Sequence, residues 1–159
     1  MDRMDLYRRF LVVLLGLAQP IIILIVCGPI VSISSSWETV LQPLFIFTNA
    51  ITSYFFFDAH RWRLPSMFLL LLTAFSVSTF PMFHNFLATC FFLSCFYPLF
   101  MLKRFRSYFW FLFIGVPLGY YFGLFWGEMY GAYILSIYHL RVVWHMYKLG
   151  IRRRHNLPD

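Results

Sequence analysis

The sequence predicts an all-α fold: a polytopic integral membrane protein of six transmembrane helices, paired as three antiparallel hairpins, with the N-terminus and C-terminus both cytoplasmic. Three observations predict it. Hydrophobic types make up 61% of the 159 residues, charged types 12%, and mean hydropathy is +0.72, against roughly 25% charged residues in an ordinary soluble domain. Six apolar stretches fit between polar breaks, each near the roughly 20 residues needed to cross about 30 Å of hydrocarbon. The basic residues fall only in alternate breaks. A disordered chain needs low hydrophobicity and a membrane barrel needs strands that alternate apolar with polar residues, so both are excluded.

The expected spans run Phe10 to Val31, Thr39 to Phe57, Leu64 to Met82, His84 to Leu102, Ser107 to Trp126 and Met129 to Tyr147. Met1 to Arg9 has the charge of a signal n-region. The apolar stretch after it is longer than the about 7 to 15 residues of an h-region and lacks a small-residue cleavage site, so an uncleaved first helix is expected. Short connections leave the chain as one helical-bundle domain over residues 1–159.

All thirteen Lys and Arg side with one face of this arrangement. Arg3, Arg8 and Arg9 precede the first span, Arg61 and Arg63 follow the second, and Lys103, Arg104 and Arg106 follow the fourth. Arg141 lies within the last span, toward its end, and Lys148, Arg152, Arg153 and Arg154 follow it. The other connections, Ser32 to Glu38, Met82 to Phe83 and Gly127 to Glu128, hold none. Cationic residues accumulate on the cytoplasmic side of spans, which suits a bacterial inner membrane. The net charge of +7 is thereby explained without nucleic acid. Lys148, Arg152, Arg153 and Arg154 are expected to meet anionic headgroups, at roughly 1 kcal/mol per basic residue.

Gly115, Gly119, Gly123, Gly127 and Gly131 recur at an unbroken spacing of four. Lipid tails are as apolar as Leu, so helices in a bilayer associate through close approach at small residues. A glycine zipper on the fifth helix is expected, packing within the chain or against a partner. Pro20, Pro98 and Pro117 fall inside spans, where each removes a backbone hydrogen bond. Gln42, Asn49, Thr52 and Ser53 mark an inward stripe on the second helix, and Ser66, Thr73, Ser76 and Thr79 mark one on the third. Such stripes join helices by hydrogen bonds worth roughly 0.6 kcal/mol each, or line a small hydrated or ligand cavity.

Three titratable residues sit on the side without basic charge: Glu38, His84 and Glu128. Two carboxylates and an imidazole could bind a divalent cation or supply a general base. The alternative is ordinary loop solvation and helix capping. On the basic side, haem b would need His60 and His145, with no second pair beside them, and no cofactor is expected. Cys27, Cys90 and Cys95 lack the spacing of a disulfide framework or zinc site. The leading expectation is a non-enzymatic accessory subunit, or a lipid- or partner-binding assembly module, whose partners are membrane lipids and another membrane protein or a second copy. A small transporter or channel component, and a membrane-embedded enzyme or metal site at the extracytoplasmic rim, are the alternatives.

Overall fold

The computed structural model describes the backbone of residues 3–57 and 60–155, and the side chains of residues 6–56 and 61–148. The described residues form six α-helices and no strand: α1 (Arg3–Cys27), α2 (Gln42–Phe57), α3 (Arg63–Ala74), α4 (Pro81–Met101), α5 (Arg106–Phe122) and α6 (Leu124–His155). Each helix packs on its successor and α6 closes on α1, so the helices form a ring. Among the described residues two helical stretches, Leu6–Cys27 in α1 and Pro81–Met101 in α4, are long and apolar enough to cross a membrane.

Local chemistry sets the ends of the elements. α1 stops where Gly28 takes φ 72°, in the left-handed region that suits glycine, and its N–H bonds Leu24 O at 3.1 Å. α3 is shorter than the sequence pattern suggests, ending at Ala74 rather than near Met82. Ser76 and Thr79 redirect the chain there, because the Thr79 N–H donates to Ser76 Oγ at 3.0 Å in competition with a helical bond. Pro81 then opens α4 at a position where proline is tolerated. At about 1.5 Å per residue, the 12 residues of α3 reach about 18 Å.

The expected glycine zipper is also changed. Gly123 has φ 101° and breaks the helix, so α5 ends at Phe122 and α6 begins at Leu124. Gly115 and Gly119 therefore belong to α5, while Gly127 and Gly131 belong to α6. The first pair meets Gly127 across the hairpin: a Cβ on Gly127 would lie 2.6 Å from Gly119 Cα and 2.9 Å from Gly115 O. Gly131 instead faces the ring of Phe92 on α4. The close approach is one crossing within the chain.

Long-range hydrogen bonds gather the connections at two opposite ends. At one end, Ile33 N–H donates to the Glu128 carboxylate, Phe125 N–H to Val31 O, Trp37 Nε1 to Thr73 O and Ser78 N–H to Glu38. At the other, Arg9 meets His139 and Arg104 donates to His145 Nε2 at 2.9 Å. This basic end is floored by a packed cluster that includes Val12, Phe56, Trp62, Phe105 and Tyr138.

Candidate functional site, a chamber inside the helix ring

Side chains from α1, α2, α3, α4 and α6 line a partly open cavity of about 150 Å³, comparable in volume to an engineered cavity that accepts a benzene-sized guest. Its wall is mostly apolar, with Val12, Phe45, Leu69, Leu72, Phe91 and Leu135 prominent. A few polar groups interrupt it: Gln19 from α1, Asn49 and Thr52 from α2, Ser66 from α3, and Glu128, Ser136 and His139 from α6. An apolar pocket with a small number of placed polar groups is the usual form of a small-molecule site.

Helical periodicity puts these groups in line. Glu128, Ala132, Leu135, Ser136 and His139 all line the chamber, and the spacings of four, seven, eight and eleven residues keep them on one face of α6. At about 1.5 Å per residue, Glu128 and His139 stand about 16 Å apart along it. Val12, Gly16 and Gln19 form the facing stripe on α1. Gly16 lets the two helices approach here, since a Cβ there would fall 2.5 Å from Ser136 Oγ and turn that hydroxyl away.

At the basic end, His139 is 1% exposed and boxed by the rings of Phe56, Trp62 and Tyr138, at centroid distances of 4.4, 4.7 and 4.8 Å. Arg9 Nη1 reaches His139 Nδ1 at 3.5 Å. A guanidinium only donates, so Nδ1 presents its lone pair and the ring proton sits on Nε2. That Nε2 is buried without a hydrogen-bond partner, and so is the Nε2 of Gln19. Both are donors, and a buried donor left unpaired costs about 1 to 3 kcal/mol.

At the opposite end, Ile33 and Ser34 join Glu128 in lining the chamber. Glu128 precedes the last expected span and keeps only partial accessibility. Burial pushes its carboxyl pKa up to about 7, partly offset by the Ile33 and Ser34 N–H groups. Glu38 is exposed on the same rim, and the Ser78 N–H holds its carboxyl below the usual range. His84 is fully buried and donates from Nδ1 to Phe75 O at 2.6 Å, tying the end of α3 to α4.

Glu38, His84 and Glu128 thus have separate hydrogen-bond partners, and Glu128 alone of the three lines the chamber. Among the described residues no group of three or more His, Cys, Asp or Glu could hold a metal ion. His145 Nε2, the ligand atom considered for haem, accepts from Arg104, while the side chain of His60 lies outside the described residues. The side chains of Arg152, Arg153 and Arg154 also lie outside them; Lys148 is exposed, with Nζ 5.0 Å from the Trp144 ring centroid. Cys27, Cys90 and Cys95 are free thiols.

The sequence pattern singled out Asn49, Thr52 and Ser66, which line the chamber, but missed Gln19 and His139 as its principal polar groups. The signal was present: Gln19 is an isolated amide in the apolar run of α1, and His139 follows Glu128 by three helical turns. Comparison with protein-family models, curated proteins and solved structures gave no match.

Proposed function

We propose that this chain is a six-span membrane protein that holds a small lipophilic molecule inside its helix ring, a ligand-binding module rather than an enzyme. The exterior supports the membrane part of this reading. Large apolar side chains point outward along every helix, including Ile25, Tyr54, Met67, Leu93, Trp110, Val116 and Trp144. Gln19, Ser53, Ser66, Ser136 and His139 point inward. Water would penalise so large an exposed apolar surface, whereas lipid tails solvate it.

The gathering of connections at two ends agrees with antiparallel helices that cross repeatedly. The confinement of Lys and Arg to one of those ends favours a cytoplasmic location for both termini, in a plasma or bacterial inner membrane. In this reading α3 reaches only part of the way, and the turn over residues 75–80 completes the crossing beside Glu38.

The observation that carries the ligand part is the chamber itself, with two buried donors left without partners. An intact-mass measurement on protein released from its own membrane in mild detergent tests it. A retained small-molecule mass is expected, and it should disappear in Ala132→Phe, which fills the chamber from α6. A bare chain mass for the wild type, under conditions that keep the fold, would defeat the proposal. A stoichiometric protein partner in the same spectrum would favour the accessory-subunit form of the module.

A further inference from the structure

The two unpartnered donors define what the chamber can hold. Gly16 and Ser136 mark one level in the bundle, because a Cβ on the first would touch the hydroxyl of the second. Gln19 lies three residues from that level along α1, toward Glu128. His139 lies three residues from it along α6, toward Arg9. At about 1.5 Å per residue, the two donor side chains leave the backbone about 9 Å apart along the chamber. A hydrogen bond spans about 2.9 Å between heavy atoms, and donors that leave the backbone at two separate levels suit two acceptor atoms with an apolar body between them.

The apolar wall of the chamber matches such a body. Phe45, Leu69, Ala88, Phe91, Ala132 and Leu135 contribute carbon surface, and a volume of about 150 Å³ suits one six-membered ring. The ligand needs no formal charge. Gln19 is neutral, Arg9 stands behind His139 rather than among the residues lining the chamber, and the Glu128 carboxyl at the far end is engaged by the Ile33 N–H. Both orphan groups donate, so they match carbonyl oxygens, which accept without bringing a proton of their own.

We propose that the chamber takes a neutral, ring-sized apolar molecule with carbonyl oxygens on two opposite edges, the chemistry of a quinone head group or a cyclic dione. One oxygen accepts from His139 Nε2–H and the other from Gln19 Nε2. This inference rests on reading the bundle as a ligand holder, and it adds the polarity of the ligand.

The test uses the full chain in lipid nanodiscs and an isosteric probe series: 1,4-dimethylcyclohexane, 4-methylcyclohexanone and 1,4-cyclohexanedione. Affinities are referred to the lipid phase. Each carbonyl should tighten binding by about tenfold, the value of one hydrogen bond of about 1.4 kcal/mol. Gln19→Leu should bring the dione down to the level of the monoketone, and His139→Phe should do the same from the other end. The ratio within the series is the readout, so a general loss of packing in either variant does not imitate the result. Equal affinity for all three probes, or tightest binding of the hydrocarbon, overturns the inference while leaving the ligand-holder reading in place. Failure of every probe to bind the wild type overturns both.

Discussion

Replacing Gly127 by alanine should separate α5 from α6, whereas the same change at Gly119, on the other side of the same crossing, should not. A Cβ on Gly127 would stand 2.6 Å from Gly119 Cα and 2.9 Å from both Gly119 N and Gly115 O. All three are backbone atoms, so no side-chain rotation relieves the overlap. Ordinary carbon contacts lie at about 3.5 to 4.0 Å, so the helices must part by about 1 Å. A gap of that size forfeits about a quarter to a half of the attraction for each atom pair across the crossing. Overpacking of this kind costs about 1 to 3 kcal/mol, and alanine's better helix propensity recovers up to about 1 kcal/mol.

The net expectation for Gly127→Ala is a loss of up to about 2 kcal/mol. A Cβ on Gly119 would lie 3.6 Å from Gly127 Cα and 4.0 Å from Leu124 Cα, which are ordinary contacts, so Gly119→Ala should be neutral or stabilising by up to about 1 kcal/mol. Reversible unfolding in mixed micelles measures both. Equal stability of the two variants, or a more stable Gly127→Ala, would refute the intramolecular crossing and return the glycines to a contact between chains.

Other perturbations have equally definite outcomes. Glu128 binds its proton more tightly folded, with a pKa of about 7, than at its ordinary 4.5. The native state therefore holds more protons between those values, and stability falls as pH rises through that window, by about 3 kcal/mol in all. Glu128→Gln should flatten this slope and be the more stable protein at pH 8, as read by thermal unfolding across pH; an unchanged slope would place the titration elsewhere. His84→Phe removes the donor to Phe75 O and should cost about 1 to 3 kcal/mol, with increased amide exchange over residues 75–80; unaltered exchange there would remove its role as a tie. Gly16→Ala presses on the Ser136 hydroxyl, so Ser136→Ala should rescue it, and additive stabilities in that double-mutant cycle would deny the contact. Reporter tags at the two ends should both read cytoplasmic, and opposite compartments would break the six-span topology.

Some of this architecture was legible in composition and spacing, because an apolar helix and a charge-free connection leave direct marks on a sequence. The stripe from Glu128 through Ser136 to His139 repeats with the helical period and could be read from α6 alone. The polar stripe on α2 led to Asn49 and Thr52 for the same reason. The end of α3 was not legible from hydropathy, since Phe75 and Val77 continue the apolar run while Ser76 Oγ captures the Thr79 N–H. The even spacing of the glycines concealed a break, because a left-handed residue at Gly123 looks the same in sequence as a helical one. The bond from Ile33 N–H to Glu128 joins residues 95 positions apart, and nothing in the local pattern of either residue announces it. His84 shows a further limit: a histidine at the start of a helix reads as a candidate base until its Nδ1 is found on the carbonyl of Phe75.

The most direct measurement is a high-resolution electron cryo-microscopy map of the full chain in nanodiscs made from its native lipids. Continuous density is expected in the chamber beside Leu135 and Phe91, with atoms within hydrogen-bond reach of both Gln19 Nε2 and His139 Nε2. A chamber collapsed onto its own side chains, or filled only by separate water peaks that satisfy those two donors, would contradict it.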